Sequence, residues 1–554
     1  MKVNVLIDNH LHAGMNSYLL PDLRVEEMEK FVDSVRPTRL TVFAVGHDGL
    51  AQYPSKVAKI APDLAVDLVG LWQGIARSRK ISFGIYVSTL RNDVLLEAHP
   101  SWIRMRLDGM TSGKIDHASP FLEEWLKPVL KELYDRYRPD SFFFDGDYWA
   151  VGESTSIWRC KKAVAARPDC DMNAFSAMNA REHRLLTVDT YSEYNQSLGK
   201  FLHSLDEKLL SSINLAFTFR HPTSPPIGLN LVTSDLPPFY GALEAWIETA
   251  VRLRSNTNRD LVVPLYAEPE GGGRKYPKNV QQLIHEIAPL IANDDPIHVY
   301  FPMSRLGSID QTYVGKLNEL RSIVEDEERK SDQPALTADY DVICLSDSQA
   351  LQLSQDFSCV RGAYLAASAA GLNVGITSTE RYLEDFQRTR LLILPAGRAE
   401  SPEAHSCVAA AIEAGITVLG PSEIDFENRM IRSNWDLSSE TISLLGNAYT
   451  MSRNPTLWSN LRVTRPWTTF VRGFVAVDES RRLFLWNGIK SGSNMGRHVR
   501  DEGAGLAGHH NVRLPIGHSI TKIWGQVSHV IQLSGEAAFN LNGAFAVVEF
   551  EATG

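Results

Sequence analysis

The chain has 554 residues, is 44% hydrophobic and 22% charged, and carries a formal net charge of -10. That length calls for about two to four domains, and the negative balance without a basic run argues against nucleic acid or an anionic membrane surface as partner. No apolar run approaches the ~20 residues that cross a bilayer, and the opening "MKVNVLIDNHLHAG" is too short and polar for a signal peptide. Five cysteines, Cys160, Cys170, Cys344, Cys359 and Cys407, show neither metal spacing nor a disulfide rhythm. They read as reduced thiols of a cytoplasmic protein.

From residue 3 to about 303 one theme repeats: a short apolar run, a polar turn, then a helical pattern. The runs are "VNVLID" (3–8), "RLTVFAV" (39–45), "ISFGIYVS" (81–88), "SFFFDGD" (141–147), "SINLAFTF" (212–219), "LNLVTSD" (229–235), "DLVVPLYAE" (260–268) and "IHVYFPM" (297–303). Continuous apolar strands alternating with helices imply a parallel sheet covered on its outer face, and eight of them fit a (β/α)8 barrel. "RVEEMEKFVDSV" and "DLVGLWQGIARSRK" place apolar residues three and four apart, as cover helices require. One step is irregular: between the fifth and sixth runs only "RHPTSPPIG" intervenes, which cannot form a helix. Either that connection is short or the strand count shifts by one there.

"VEDEERKSDQPALTADYD" reads as a linker. A second α/β pattern follows, with "YDVICLS", "GLNVGIT", "TRLLILPAG" and "GITVLGP" as strands and "GAYLAASAAG" and "EAHSCVAAAIEAG" as helices. From about residue 440 the apolar runs shorten and alternate, as in "FVAVDESRRLFLWN", which suggests a small antiparallel β domain. The expected organisation is a barrel over 1–330, an α/β domain over 335–440 and a β domain over 441–554.

In a barrel of this type chemistry sits where the strands end. His10 and His12 follow the first run, His47-Asp48-Gly49 the second, and Asp145, Asp147, Tyr148 and Trp149 the fourth. Asp235 ends the sixth, and Glu268 and Glu270 end the seventh. An acidic, aromatic-lined mouth suits sugars, because carboxylates handle the bond and flat rings stack on C–H faces. One strand-terminal aspartate is as readily a helix cap or turn former, and His12 reads equally as an exposed loop residue. The aggregate around one rim carries the signal. "SFFFDGD" poses the sharpest question, since a buried strand should not end in bare carboxylates.

The stretch "LTVFAVGHDGLAQYPSK" resembles the segment that α-L-fucosidases of glycoside hydrolase family 29 carry after their second strand. "KISFGIYVS" and "YRPDSFFFDG" are similar to their third and fourth strands, and the pattern also resembles the hypothetical glycosyl hydrolase 6 group, which includes family 151. The resemblance covers residues 1–150 well and 150–305 loosely. It implies an exo-acting retaining glycosidase of α-L-fucosidase type, without cofactor or metal, acting on an oligosaccharide or glycoside. Asp145 matches the nucleophile and His47 one of two sugar-binding histidines, while Gly46 stands where family 29 has the other. His10 or His12 corresponds to a first-strand histidine. The acid/base position varies in the family, so the residues leave Glu268 first, Asp235 second, then Glu270 and Glu244. His10, His12, His47, Asp147, Trp149 and Glu270 are expected to hold substrate. Another terminal sugar, a galactoside or arabinoside, is the alternative specificity.

Two other classes compete. "DNHLH" also resembles the His-x-His metal site of amidohydrolases, with His221 as a further ligand. That site needs an aspartate after the eighth strand, and "IHVYFPM" offers none. A degenerate barrel that binds sugars without cleaving them is the third reading. The second domain resembles the glutamine-amidotransferase-like fold used for trimerisation in some β-galactosidases. Its "LLILPAGRAES" turn lacks the cysteine an amidotransferase needs, so an assembly role, as a dimer or trimer, is expected.

Overall fold

The computed structural model describes residues 3–9, 20–106, 110–146, 154–155, 180–214, 229–236, 241–252, 258–267, 275–293, 295–304, 306–328, 336–347, 358–384, 386–395, 401–419, 462–464, 469–476, 481–487, 508–514, 518–533 and 536–552. Eight parallel strands close into a barrel in sequence order. They are β1 (Val3–Asp8), β2 (Arg39–Val45), β3 (Ser82–Ser88), β4 (Ser141–Asp145), β5 (Leu210–Asn214), β6 (Leu231–Asp235), β7 (Asn258–Pro264) and β8 (Ile297–Pro302). The expected strand count holds through the irregular fifth step. β8 closes the barrel on β1, pairing Val3 with Ile297 and Asp8 with Pro302.

Side chains alternate along each strand, and this sorts the apolar runs. Phe142 and Phe144 of β4 face outward into the core shared with the cover helices. Phe143 faces inward, among Leu6, Phe43, Tyr86 and Val262. The rings of Phe43 and Tyr86 stack at 3.7 Å, and those of Tyr86 and Phe143 at 5.4 Å. The cover helices bury the stripe their periodicity dictates. In α1 (Val25–Val35) it is Met28, Phe31, Val32 and Val35; in α2 (Leu68–Ser78) it is Leu68, Val69, Trp72, Ile75 and Ala76. Asp67 caps α2 by accepting from the Gly70 N–H at 2.8 Å.

At the opposite end of the barrel from the site, a buried polar group fills the interior. Arg39 donates to Asp260 Oδ2, His298 Nδ1 lies 3.1 Å from the same oxygen, and Asn4 donates to Oδ1 at 3.4 Å. Burial pushes the Asp260 carboxyl up, but His298 and Arg39 outweigh it and hold the group below the usual carboxylate range.

Beyond the barrel, four parallel strands form a second sheet: β9 (Val342–Ser346), β10 (Val374–Ser378), β11 (Leu391–Ile393) and β12 (Thr417–Leu419). Its fifth strand comes from the barrel region: Val251–Arg252 pairs in parallel with Ile376–Thr377. Cys407 lies inside the helix Pro402–Glu413, buried, with its thiol pushed up to about 12 by burial. A largely antiparallel sheet follows, in which Thr469–Ala476, Arg481–Asn487, Glu536–Ala552 and Gly508–Arg513 are neighbours. The segment read as a linker is more structured than its composition suggests. "VEDEE" finishes the helix Gln311–Glu328, and Leu336–Ala338 satisfies its backbone by pairing with Phe474–Ala476.

Asp260→Asn strands a buried Arg39 charge and is expected to cost about 3–5 kcal/mol at neutral pH, read by denaturant unfolding. Because the folded-state pKa of Asp260 is depressed, its contribution is present above the unfolded value of ~3.9 and is lost as pH falls through the folded one. The acid limb of the stability curve should therefore be shallower in Asp260→Asn than in the wild type.

Candidate active site

The last inward position of the strands assembles the mouth. Asp8 ends β1, Ser88 ends β3, Asp145 ends β4, Asn214 ends β5 and Asp235 ends β6. Register explains the grouping: Ser88 is paired with Asp145, and Asp145 with Asn214.

Asp145 faces groups from two strands and from the turn after β2. The Tyr86 hydroxyl donates to Oδ2 at 2.5 Å, His47 Nε2 lies 3.3 Å from the same oxygen, and Asn214 Nδ2 donates to Oδ1 at 3.2 Å. Burial, then the Asp145 charge, push the Tyr86 phenol well above its usual range, so it stays a donor. The Asn214 amide also donates to Asp235 Oδ2 at 2.8 Å. The two N–H bonds of one amide diverge by ~120°, so the two acceptor oxygens sit roughly 5 Å apart.

His47 is held from behind. Ser88 Oγ donates to the Arg91 carbonyl at 2.7 Å, so it accepts from His47 Nδ1 at 2.7 Å. With Nδ1 engaged by Ser88, Nε2 is the ring nitrogen that faces the carboxylate. The "HDG" triplet earns its form locally. The His47 and Asp48 carbonyls accept from Asp93 and Val94 N–H, Asp48 Oδ1 accepts from Leu50 N–H, and Gly49 sits at φ +81 against Asn92. A Cβ there would lie 1.8 Å from Asn92 Oδ1.

The backbone carrying Asp145 is equally constrained. Its carbonyl accepts from Thr89 N, Leu90 N and Thr89 Oγ1 at 2.9, 3.0 and 3.2 Å. A Cβ on Gly146 would lie 2.3 Å from Thr89 Oγ1, and Tyr191 donates to the Gly146 carbonyl. His117, edge-on to Tyr191 and tilted against Tyr194, has Nε2 3.0 Å from the Thr89 carbonyl. Burial holds that imidazole down at about 3, so it is a neutral packing group. On the far side of the mouth Lys275 Nζ donates to Asp8 Oδ2 at 2.6 Å and lies 4.1 Å over the Tyr266 ring.

The α-L-fucosidase family model matches residues 40–219, the stretch that contributes His47, Tyr86, Asp145 and Asn214. Over that stretch the chain is similar to α-L-fucosidases. Among solved structures it is similar to an α-L-fucosidase, isoenzyme 2, from Paenibacillus thiaminolyticus, at 14% identity over 100% of both chains and a TM-score of 0.75. It is also similar to β-galactosidases from Rahnella sp. R3 (12% identity, 95% of both chains, TM-score 0.63) and Marinomonas ef1 (12%, 98% of this chain and 100% of that one, TM-score 0.61). At such identities these likenesses speak for the fold. No curated protein matches the sequence.

At the barrel mouth the structure brings Asp145, Asp235 and His47 together. His10, His12, Asp147, Trp149, Glu268 and Glu270 lie outside the described residues, as does His221 of the metal-site alternative. Glu244 is removed from the mouth: it is buried in the helix Ala242–Glu248 and accepts from Arg361 of the neighbouring unit at 2.8 Å. The sequence reading missed Tyr86, Asn214, Asp8 and Lys275. Counting by two back from Asp145 and across the register to β3 and β5 would have found the first two.

Gly49→Ala forces a left-handed φ onto alanine and a clash with Asn92. It should lower stability by at least ~1–2 kcal/mol in urea unfolding and displace His47 from Asp145.

Proposed function

We propose that the chain is an exo-acting retaining α-L-fucosidase with Asp145 as nucleophile and Asp235, ahead of Glu268, as acid/base. One observation carries this reading: a single amide, Asn214, spans the two carboxyl groups. Retaining enzymes set their carboxyls ~5–5.5 Å apart, whereas inverting ones leave ~6.5–9.5 Å for a water.

In the first step an Asp145 oxygen bonds to the anomeric carbon as the bond to the leaving oxygen breaks, and the acid/base carboxyl gives that oxygen its proton. In the second step the same carboxylate takes a proton from water, whose oxygen displaces Asp145. Tyr86 and Asn214 keep the nucleophile aimed, and His47 lies against the same carboxylate. The β-galactosidase likeness supports a galactoside as the runner-up, since one scaffold serves several sugars. The reading extends to the domain limits 1–330, 335–440 and 441–554, to a homo-oligomer built through the α/β unit, and to a cytoplasmic location, in keeping with Cys344, Cys359 and Cys407 as free thiols. Light scattering checks the oligomer.

Across a panel of aryl glycosides, turnover should be greatest for α-L-fucoside, and Asp145→Asn should lower kcat about a thousandfold or more. Azide should rescue Asp145→Gly, giving a glycosyl azide of inverted anomeric configuration by NMR. Equal turnover by wild type and Asp145→Asn would remove Asp145 from the chemistry. Asp235→Asn should lose most activity on alkyl glycosides with poor leaving groups and least on dinitrophenyl glycosides, since only the former need a proton. The same dependence in Glu268→Gln instead would move the role there.

A further inference from the structure

We infer that Tyr191 and Thr89 are positioning residues for Asp145. Their hydroxyls grip the two successive carbonyls of Asp145 and Gly146 and fix the direction from which the carboxylate meets the sugar, so they govern turnover and not binding. That role deepens the glycosidase reading above and rests on it.

Asp145 is the last residue of β4, and the ladder that orders the strand ends at it. Its own carbonyl takes the Thr89 hydroxyl at 3.2 Å together with the Thr89 and Leu90 N–H groups. The next carbonyl, that of Gly146, takes the Tyr191 hydroxyl. Gly146 is buried, and a Cβ on it would meet Thr89 Oγ1 at 2.3 Å and Tyr191 Oη at 3.6 Å, so both hydroxyls crowd one face of that residue. Tyr191 is itself fixed. It is 4% exposed on the helix Ala180–Leu205, edge-on to His117 with ring centroids 5.4 Å apart, and its ring lies 6.1 Å from that of Tyr194. His117 in turn reaches the Thr89 carbonyl, so one buried aromatic cluster joins the two hydroxyl-bearing residues. The same helix leads into β5, whose last residue, Asn214, spans Asp145 and Asp235.

Tyr86 and Asn214 hold the carboxylate oxygens relative to β3 and β5. The Tyr191 bond holds the backbone from which that side chain springs. Attack needs an Asp145 oxygen about 3–3.5 Å from the anomeric carbon and in line with the breaking bond, and a displacement of about 1 Å can cost about a hundredfold in rate. Without the Tyr191 hydroxyl a buried carbonyl loses that donor, and the peptide turns to find another. Both hydroxyl protons are committed to backbone carbonyls, so removing them takes no donor from a sugar. Ground-state binding is therefore spared, and the loss falls on the transition state.

The test compares wild type, Tyr191→Phe and Thr89→Val. Tyr134→Phe is the control, since the Tyr134 hydroxyl donates to Asp206 at 3.0 Å, just past the far end of the same helix and ahead of β5. Competent sites are counted with a 2-deoxy-2-fluoro glycosyl fluoride of the preferred sugar: an Asp145 oxygen bonds to the anomeric carbon, fluoride leaves, and mass spectrometry reads the adduct. Steady-state kcat and KM on the nitrophenyl glycoside and calorimetric binding of the free sugar complete the set. Tyr191→Phe should keep the wild-type number of adducts per chain and a KM and sugar Kd within about threefold of wild type, while kcat and the rate of adduct formation fall together by about 10–100-fold. Thr89→Val should lose less, about 3–10-fold, because the Thr89 and Leu90 N–H groups still hold the Asp145 carbonyl. Tyr134→Phe should match wild type per competent site. Fewer adducts in Tyr191→Phe with wild-type turnover per adduct, or a weakened sugar Kd with kcat unchanged, would overturn the inference while leaving the glycosidase reading intact. If Tyr191→Phe fails to fold, Thr89→Val carries the same comparison, and wild-type turnover per adduct there counts against the role. No adduct on Asp145 and no turnover by wild type would instead overturn the glycosidase reading, and this inference with it.

Discussion

Closing eight parallel strands leaves every second side chain with only the barrel interior to occupy. The layers of the barrel and its mouth follow from how that interior is filled. Near one end Asn4, Arg39 and His298 gather around the Asp260 carboxylate, and in the middle Leu6, Phe43, Tyr86, Phe143 and Val262 pack. At the other end the same alternation delivers Asp8, Asp145, Asn214 and Asp235. Tyr86 belongs to two layers at once: its ring packs on Phe43 and Phe143 while its hydroxyl reaches Asp145. A strand as apolar as "SFFFD" can thus end in a carboxylate, because the rim is where the packed interior stops.

Concentrating three carboxylates at one mouth carries an electrostatic cost, and the neighbouring donors show how it is met. His47 faces Asp145, Lys275 holds Asp8, and Asn214 stands between Asp145 and Asp235 with an N–H for each. Hydrogen bonds to charged acceptors are worth about 1.5–3 kcal/mol each, more than neutral ones. The amide does something a cation could not. It links the two carboxylates while adding no charge, so their spacing is set by geometry.

Much of this was legible in the sequence, for reasons that can be named. The eight apolar runs mark strands because a doubly covered sheet admits little else. The "HDG" and "FFFDG" elements are readable because close backbone approach restricts them: Gly49 packs on Asn92 and Gly146 on Thr89. Asp145, Asp235 and His47 were found because each ends or follows a strand. Tyr86 and Asn214 were not, since inside a strand a tyrosine reads as core and an asparagine as filler until the register with β4 is known. Lys275 follows a glycine-rich stretch of sequence, and nothing local says that its side chain reaches Asp8. Glu244 misled for the opposite reason. Its place shortly after β6 suggested the rim, but the helix it sits on turns it toward Arg361.

That helix also shows why the site and the second sheet form one mechanical unit. The helix Ala242–Glu248 begins soon after Asp235, and its first neighbour, Gly241, donates to Glu286 at 3.1 Å. Glu286 is fully buried against Lys278, whose N–H in turn binds the Leu265 carbonyl just past β7. Burial pushes Lys278 down and Glu286 up, so the contact gains from their attraction only what it recovers from desolvation. Its worth lies in registration: one pair ties the approach to α-helix and strand on either side of the mouth. At the other end of the same segment Val251 joins β10, Ile376 N–H binds the Ala250 carbonyl, and Tyr364 donates to the Trp246 carbonyl. The chain leaving Asp235 is therefore anchored first to the barrel wall and then to the second sheet, which makes that sheet part of what holds the acidic rim in shape.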